Sequence, residues 1–120
     1  MKLEGICTIG EVLAAVREQY VSEGSKAVYA DDNWHIYLAD EELLGTTVCC
    51  ITAPPAFDEE TDEEVIPEIA AANGMYGSLL PELIQDVVIN ALTQKSDAGD
   101  EELLEALNYY LDHDIFMQFF

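Results

Sequence analysis

The chain has 120 residues, with 25 Asp and Glu against four Lys and Arg, and a net charge of −21 at pH 7. A field of this sign repels nucleic-acid backbones and anionic lipid surfaces, which excludes direct binding to nucleic acid or to a membrane. Half of the residues are hydrophobic, which excludes a disordered acidic tail, so we expect one folded domain over 1–120 with a negative surface.

The first predicted element is a helix over residues 8–20. Thr8 and Glu11 have the spacing of a capping box at its start. The apolar residues that follow recur at intervals of three and four: Ile9, Val12, Leu13, Val16 and Tyr20. This period is that of a helix with one buried face.

Three strands are predicted next. Residues 26–30 and 34–38 flank a short polar loop, and the second run alternates in hydrophobicity, so we expect the two to form a hairpin. Residues 46–52 are rich in β-branched side chains, which is typical of a buried strand. Trp34 is assigned to the core by the alternation.

Helices dominate the second half of the chain. Pro67 and Gly74 suit the start and stop of a short helix over 66–73. Longer apolar periods predict helices over 79–95 and 100–113. Strands followed by helices indicate an α+β fold, with a small antiparallel sheet of about three strands packed by three to four helices.

No arrangement of residues predicts an enzyme. His113 lies between two aspartates, but neighbours in sequence point apart on a helix, and we expect His113 to meet the carbonyl end of the last helix. The acidic run 58–64 lacks the alternating ligand positions and the central Gly of a calcium loop. We therefore predict no catalytic residues, no metal site and no cofactor.

The cysteines indicate the compartment. Cys7, Cys49 and Cys50 are odd in number and lack zinc spacing, which is typical of reduced, buried thiols in a cytoplasmic protein. No secretory signal is visible at the start of the sequence, and no apolar run approaches the roughly 20 residues of a membrane span.

Two acidic clusters are the candidate binding surface for a basic partner. The first has six carboxylates between prolines that restrict the segment: Asp58, Glu59, Glu60, Asp62, Glu63 and Glu64. The second lies at the start of the last helix: Asp97, Asp100, Glu101, Glu102 and Glu105. Tyr109 lies off the leucine stripe of that helix, so we expect it to be an exposed aromatic contact.

Two functions use such charge. An inhibitor covers the active cleft of a basic protein, such as a nuclease toxin, and opposed fields speed its association. A nucleic-acid mimic instead imitates the spaced phosphates of a duplex and occupies a DNA-binding protein, as anti-restriction proteins do. A mimic needs charges in regular rows on an elongated body, whereas the clustered charges of this sequence favour a localised docking face.

The size, the charge and the stretch EELLEALNYYLDHDIF at 101–116 carry a resemblance. The chain resembles the small acidic immunity proteins encoded beside polymorphic bacterial toxins, including those of contact-dependent growth inhibition. The resemblance implies a non-enzymatic cytosolic protein whose partner is a cognate toxin domain, often an RNase or DNase.

Overall fold

The computed structural model of the chain describes residue 1 and residues 5–39, 43–54 and 56–119, apart from the side chains of Ala56 and Glu64. The helices are α1 (Ile9–Glu23), α2 (Ser25–Ala30), α3 (Glu68–Ala72), α4 (Pro81–Gln94) and α5 (Asp100–His113). The strands are β1 (Gly5–Thr8), β2 (His35–Leu38), β3 (Val48–Thr52), β4 (Ala56–Phe57), β5 (Glu64–Val65) and β6 (Gly77–Leu79). None of the helices described combines the length and the apolar content needed to cross a membrane.

Four strands form an antiparallel sheet in the order β1-β3-β2-β6, while β4 and β5 pair only with each other. The main core lies between one face of this sheet and the three long helices α1, α4 and α5. Their fully buried side chains include Val12, Val16, Ile84, Val88, Leu103 and Leu107. The α+β class predicted from the sequence is therefore confirmed, with four strands in the main sheet.

The other face of the sheet has a smaller core. Tyr37 of β2 and Cys50 of β3 are directly opposite each other and fully buried. Ala70 of α3 and Met75 pack over them. The segment around α3 thus covers the middle of a face that the three long helices leave open.

The start of α1 is fixed to the loop before β3. Thr8 and Glu11 form the predicted capping box. Between them, the N–H of Ile9 donates to the Thr47 carbonyl at 2.9 Å, and the N–H of Gly10 donates to the Gly45 carbonyl at 3.0 Å. These bonds satisfy groups that a helix leaves unpaired at its first turn. Helix and loop approach so closely that a Cβ on Gly10 would lie 2.8 Å from the Gly45 oxygen.

Most of the predicted elements are present. The helices predicted over 8–20, 79–95 and 100–113 are α1, α4 and α5, and α1 continues to Glu23. The predicted helix over 66–73 is the shorter α3, and the strands predicted at 34–38 and 46–52 are β2 and β3. Trp34 is buried, as expected.

The strand predicted over 26–30 is wrong, because this segment is helix α2. The N–H of Val28 donates to the Gly24 carbonyl, and the N–H of Asp31 donates to the Ala27 carbonyl, which are helical pairings. Only Val28 of this helix is buried. The hairpin partner of β2 is therefore absent, and β2 pairs instead with β3 and β6.

Candidate functional site

A separate hairpin carries the first acidic cluster. β4 and β5 pair antiparallel, with Ala56 opposite Val65 and Phe57 opposite Glu64. We call residues 56–65 the acidic hairpin. The sequence pattern did not predict it, because strands of two residues are too short to show any alternation.

Asp58 organises the turn of the acidic hairpin. Its backbone N–H donates to the Glu63 carbonyl and its carbonyl accepts from the N–H of Asp62, both at 2.8 Å. Its carboxylate accepts from the N–H groups of Glu60 at 2.8 Å and Thr61 at 3.2 Å. Asp62 adopts a positive φ of 60°, a conformation that Asp tolerates better than most residues. The turn is thus held by its own hydrogen bonds.

The remaining carboxylates of the turn point to solvent. Glu59, Glu60, Asp62 and Glu63 are all exposed. None of the four is in an ion pair with any residue that the structure describes. The predicted contact residue Glu64 forms part of β5, and its side chain lies outside the described part of the chain. The hairpin therefore concentrates negative charge that the described residues do not neutralise.

Apolar side chains flank this charge. Phe57 is 61% exposed and Val65 is 49% exposed, one on each strand of the hairpin. Large apolar side chains beside a charged rim are the usual composition of a protein-binding surface, in which the apolar group supplies affinity and the charges supply steering. Sequence reasoning missed Phe57 as a candidate contact.

The second cluster has a different environment. We call Asp97, Asp100, Glu101, Glu102 and Glu105 the α5 acidic cluster. Asp100 forms an ion pair with Arg17 of α1 at 2.6 Å, and Glu102 forms one with Lys95, just after α4, at 2.7 Å. Glu102 also accepts from the N–H of Gly99, the N-cap residue of α5, at 3.3 Å. Two of the five carboxylates thus join α5 to the other long helices.

The ion pair between Lys95 and Glu102 shifts the pKa of both side chains. The hydrogen bond from Lys95 lowers the pKa of Glu102, with a further contribution from the Gly99 N–H. The same hydrogen bond to Glu102 raises the pKa of Lys95, and the charge of Asp97 adds to this effect. Each shift favours the charged form, so both groups remain ionised through the neutral range.

Tyr109 belongs to the last turns of α5. Its ring is half-buried and stacks on His113, with the ring centroids 4.2 Å apart. His113 also lies 3.0 Å from the Tyr109 carbonyl through Nδ1, which fits the expected position of a histidine at a helix C-terminus. The expectation that Tyr109 is exposed is therefore wrong: the ring is half-buried at a helix end, because one of its faces is covered by His113.

The structure does not join the two clusters into one site. No hydrogen bond or ion pair among the described residues connects the acidic hairpin to α5. Asp100 and Glu102 are engaged within the fold, whereas Asp97, Glu101 and Glu105 are exposed. The hairpin is therefore the stronger candidate site, and the free members of the α5 acidic cluster provide a natural comparison.

The other reactive side chains are held in their unreactive form. Burial raises the pKa of the Cys7, Cys49 and Cys50 thiols, which opposes formation of the nucleophilic thiolate. In the part of the chain that the structure describes, no group of three or more His, Cys, Asp or Glu residues is arranged to hold a metal ion.

Comparison with known proteins identifies a family. Residues 7–119 match the model of a family described as Domain of unknown function (DUF7716). The match spans every helix of the structure and almost all of the sheet. No curated protein and no solved structure matches the chain.

Proposed function

The chain belongs to the DUF7716 family, whose description assigns no activity, and we propose that it is a non-enzymatic inhibitor that binds a basic protein through the acidic hairpin. The observation that carries the proposal is the exposed, unneutralised charge of Glu59, Glu60, Asp62 and Glu63 on a turn with its own hydrogen bonds. A preordered surface loses less conformational entropy on binding than a mobile loop loses.

The distribution of the basic residues supports the proposal that the acidic hairpin binds an external partner. The chain has only four Lys and Arg, and two of them, Arg17 and Lys95, neutralise carboxylates of the α5 acidic cluster. Leaving charge uncompensated costs stability through self-repulsion, and a role in solution would account for that cost. Steering towards a positive surface is such a role, because complementary fields raise association rates by orders of magnitude.

The exposed apolar side chains complete the binding surface. Phe57 and Val65 lie on the two strands that support the charged turn. Aromatic anchors desolvated at the centre of an interface contribute most of the binding energy in typical complexes, while charges at the rim set the rate. We infer that Phe57 inserts into the partner while the turn carboxylates contact its basic rim.

The partner class we propose is a toxin domain, a nuclease first of all. A nuclease has a basic cleft for its phosphate substrate, and an inhibitor that must act before the toxin does benefits from fast association. The resemblance to immunity proteins supports the same class. The three free, buried cysteines support a cytoplasmic location, where thiols remain reduced.

The nucleic-acid mimic is the second candidate, and the shape of the molecule favours it. The principal extents are 48, 28 and 24 Å, so the body is longer than it is wide, as a duplex mimic requires. Against it, part of the charge is cancelled by ion pairs at the start of α5. A mimic uses charge along its whole length, whereas a docking hairpin uses one cluster.

The test is protection from a nuclease toxin domain, taken from the gene beside this one where that gene encodes such a domain. Cells expressing that domain should survive when the wild-type chain is co-expressed, and should die when Glu59, Glu60 and Glu63 are all changed to Lys. The matched control changes Asp97, Glu101 and Glu105 to Lys, which shifts the net charge from −21 to −15, as the hairpin variant does. Protection by the control but not by the hairpin variant supports the proposal; equal loss in both supports the mimic.

A further inference from the structure

Two cysteines of the sheet are directly opposite each other on adjacent strands. In the register of β1 and β3, Cys7 is the partner of Cys49. Their Sγ atoms are 3.7 Å apart. Both side chains are buried, and both belong to the core under the long helices. The two thiols are therefore in contact in the native state.

The backbone geometry at this pair suits a disulfide. The ladder continues past β1 with the hydrogen bond from the N–H of Ile9 to the Thr47 carbonyl. Since hydrogen-bonded pairs alternate along an antiparallel ladder, Cys7 and Cys49 are also such a pair, with Cα atoms about 5.5 Å apart. This distance lies inside the range of about 4.4–6.8 Å that disulfides span. Bond formation therefore needs the sulfur atoms to move from 3.7 Å to about 2.05 Å, by side-chain rotation together with a small shift of the edge strand β1 towards β3.

The third cysteine has no such partner. Cys50 is adjacent to Cys49, so its side chain points to the opposite face of the sheet. It packs there against Tyr37 and Met75, in the smaller core. The sheet thus separates Cys50 from the other two thiols, so Cys50 serves as an internal control for the reactivity of an unpaired buried cysteine.

We propose that Cys7 and Cys49 form a cross-strand disulfide when a peroxide oxidises the pair. One thiolate attacks the O–O bond and becomes a sulfenic acid as the peroxide releases water or an alcohol. The second thiol attacks that sulfur, the S–S bond forms and a water molecule leaves. Two thiols are oxidised by two electrons in total and one peroxide is reduced. This inference is independent of the proposed inhibitor function.

Access to the pair is through the edge of the sheet. β1 is an edge strand, and Cys7 retains 8% exposure whereas Cys49 has none. Edge elements open locally at lower free energy than the centre of a fold, and a peroxide is small enough to use such an opening. Burial raises the pKa of both thiols, so the reaction is slow compared with that of an exposed thiolate.

The consequence is a link between an edge strand and the centre of the sheet. The bond would close a long loop that contains α1, α2 and β2. Cross-linking a long loop restricts the unfolded chain most strongly, so we expect the melting temperature to rise by on the order of 10 °C. Opening of β1 would become the motion that oxidation suppresses.

The experiment counts thiols after exposure to hydrogen peroxide. Reduced protein has three free thiols, measured by alkylation in denaturant. After peroxide we expect one alkylated cysteine, Cys50, a linked peptide containing Cys7 and Cys49, and recovery of all three thiols with a reducing agent. The Cys50→Ser variant should form the same link and show the same rise in melting temperature.

Variants of the pair make the proposal falsifiable. Cys7→Ser and Cys49→Ser should each show no intramolecular link and no rise in melting temperature after peroxide. The proposal is overturned if wild-type protein keeps three thiols, or if the recovered link joins Cys50 to another cysteine or joins two molecules. Loss of thiols that a reducing agent cannot restore would show over-oxidation in place of a disulfide, and would overturn it as well.

Discussion

The acidic hairpin and the start of α5 carry similar runs of carboxylates, but the structure uses their charge differently. At α5, Arg17 and Lys95 pair with Asp100 and Glu102, and these contacts join three helices. In the hairpin, the carboxylate of Asp58 accepts from the backbone of its own turn and from no other described residue, and its described neighbours face solvent. A charge run in a sequence therefore does not tell how much charge remains for a partner.

The two regions also differ in whether their apolar side chains belong to a hydrophobic core. The first three turns of α5 contribute Leu103 and Leu107 to the main core, both fully buried. The hairpin presents Phe57 and Val65 to solvent and contributes neither to a core. Truncating a buried side chain of α5 thus disturbs the fold, whereas the hairpin tolerates change at little cost in stability. The predictions below test this separation.

The largest expected effect comes from comparing the truncation of one apolar side chain in each region, Leu107 in α5 and Phe57 in the hairpin. Leu107→Ala should lower the free energy of unfolding by about 2–5 kcal/mol, because it leaves a cavity in the main core. Phe57→Ala should lower it by less than about 0.5 kcal/mol, since the ring is already exposed. Urea unfolding of both variants gives the comparison. Equal losses would mean that the hairpin is part of the core.

Removing the hairpin is the next test. Ala56 and Val65 are cross-strand partners, so their Cα atoms are about 5 Å apart and a Gly-Gly link can replace residues 57–64. We expect the free energy of unfolding to change by less than about 1 kcal/mol, because none of the excised residues whose side chains are described is buried. Thermal unfolding monitored by circular dichroism measures it. Loss of cooperative unfolding would contradict the account.

Two variants of Asp58 distinguish the hydrogen bonds that this side chain accepts in the turn from the charge that it carries. Asp58→Asn keeps an oxygen that accepts from Glu60 and Thr61 but removes one charge, whereas Asp58→Ala removes both. We expect faster amide hydrogen exchange at Glu60 and Thr61 in Asp58→Ala and little change in Asp58→Asn, because the lost acceptor frees those N–H groups. Similar exchange in the two variants would show that the carboxylate does not hold the turn.

The smallest effect expected is the pH dependence of the Lys95–Glu102 pair. The pKa of Glu102 is lowered in the folded state, so its contribution is present above the unfolded pKa of about 4.5 and is lost as pH falls through the folded pKa. The pKa of Lys95 is raised, so its contribution is present below the unfolded pKa and is lost as pH rises through the folded value. Wild type should therefore melt higher than Lys95→Met near pH 7.

The Lys95–Glu102 pair also predicts the pH at which the difference in melting temperature between wild type and Lys95→Met disappears. The melting temperatures of wild type and Lys95→Met should converge as pH falls through the lowered folded-state pKa of Glu102, because below it the carboxyl is protonated in both proteins. Glu101→Gln changes the net charge by one unit in the opposite direction and is the control for the general charge effect, since Glu101 is exposed on the same turn and has no partner among the described residues. A wild-type advantage that persists unchanged at low pH would rule out the pair as its source.

Long periodic segments explain why much of the fold was predictable. The apolar repeats of α1, α4 and α5 fix their core faces over several turns, and the alternation of β2 does the same for a strand. Residues 26–30 were assigned wrongly because a five-residue segment with one buried side chain, Val28, carries no decisive period. β1 and β6 have four and three residues, and their pairing depends on partners distant in sequence.

The candidate site was predictable in composition but not in environment. The carboxylates of both clusters can be read from the sequence, whereas the ion pairs that neutralise Asp100 and Glu102 depend on the packing of α5 against α1 and α4. Arg17 is remote from Asp100 in the chain, and only the helix packing brings them to 2.6 Å. Phe57 was overlooked because exposure of an apolar residue follows from the tertiary structure.

The measurement that tests the central claim most directly is the rate of association with the basic toxin domain at low and at high salt. Wild type is compared with the triple Lys variant at Glu59, Glu60 and Glu63 and with the triple Lys variant at Asp97, Glu101 and Glu105. We expect the hairpin variant to associate at least about tenfold more slowly at low salt and to lose most of its salt dependence. The α5 variant, with the same net charge, should remain close to wild type. Equal slowing of the two variants, or an unchanged rate in the hairpin variant, would contradict the claim that the hairpin is the docking surface.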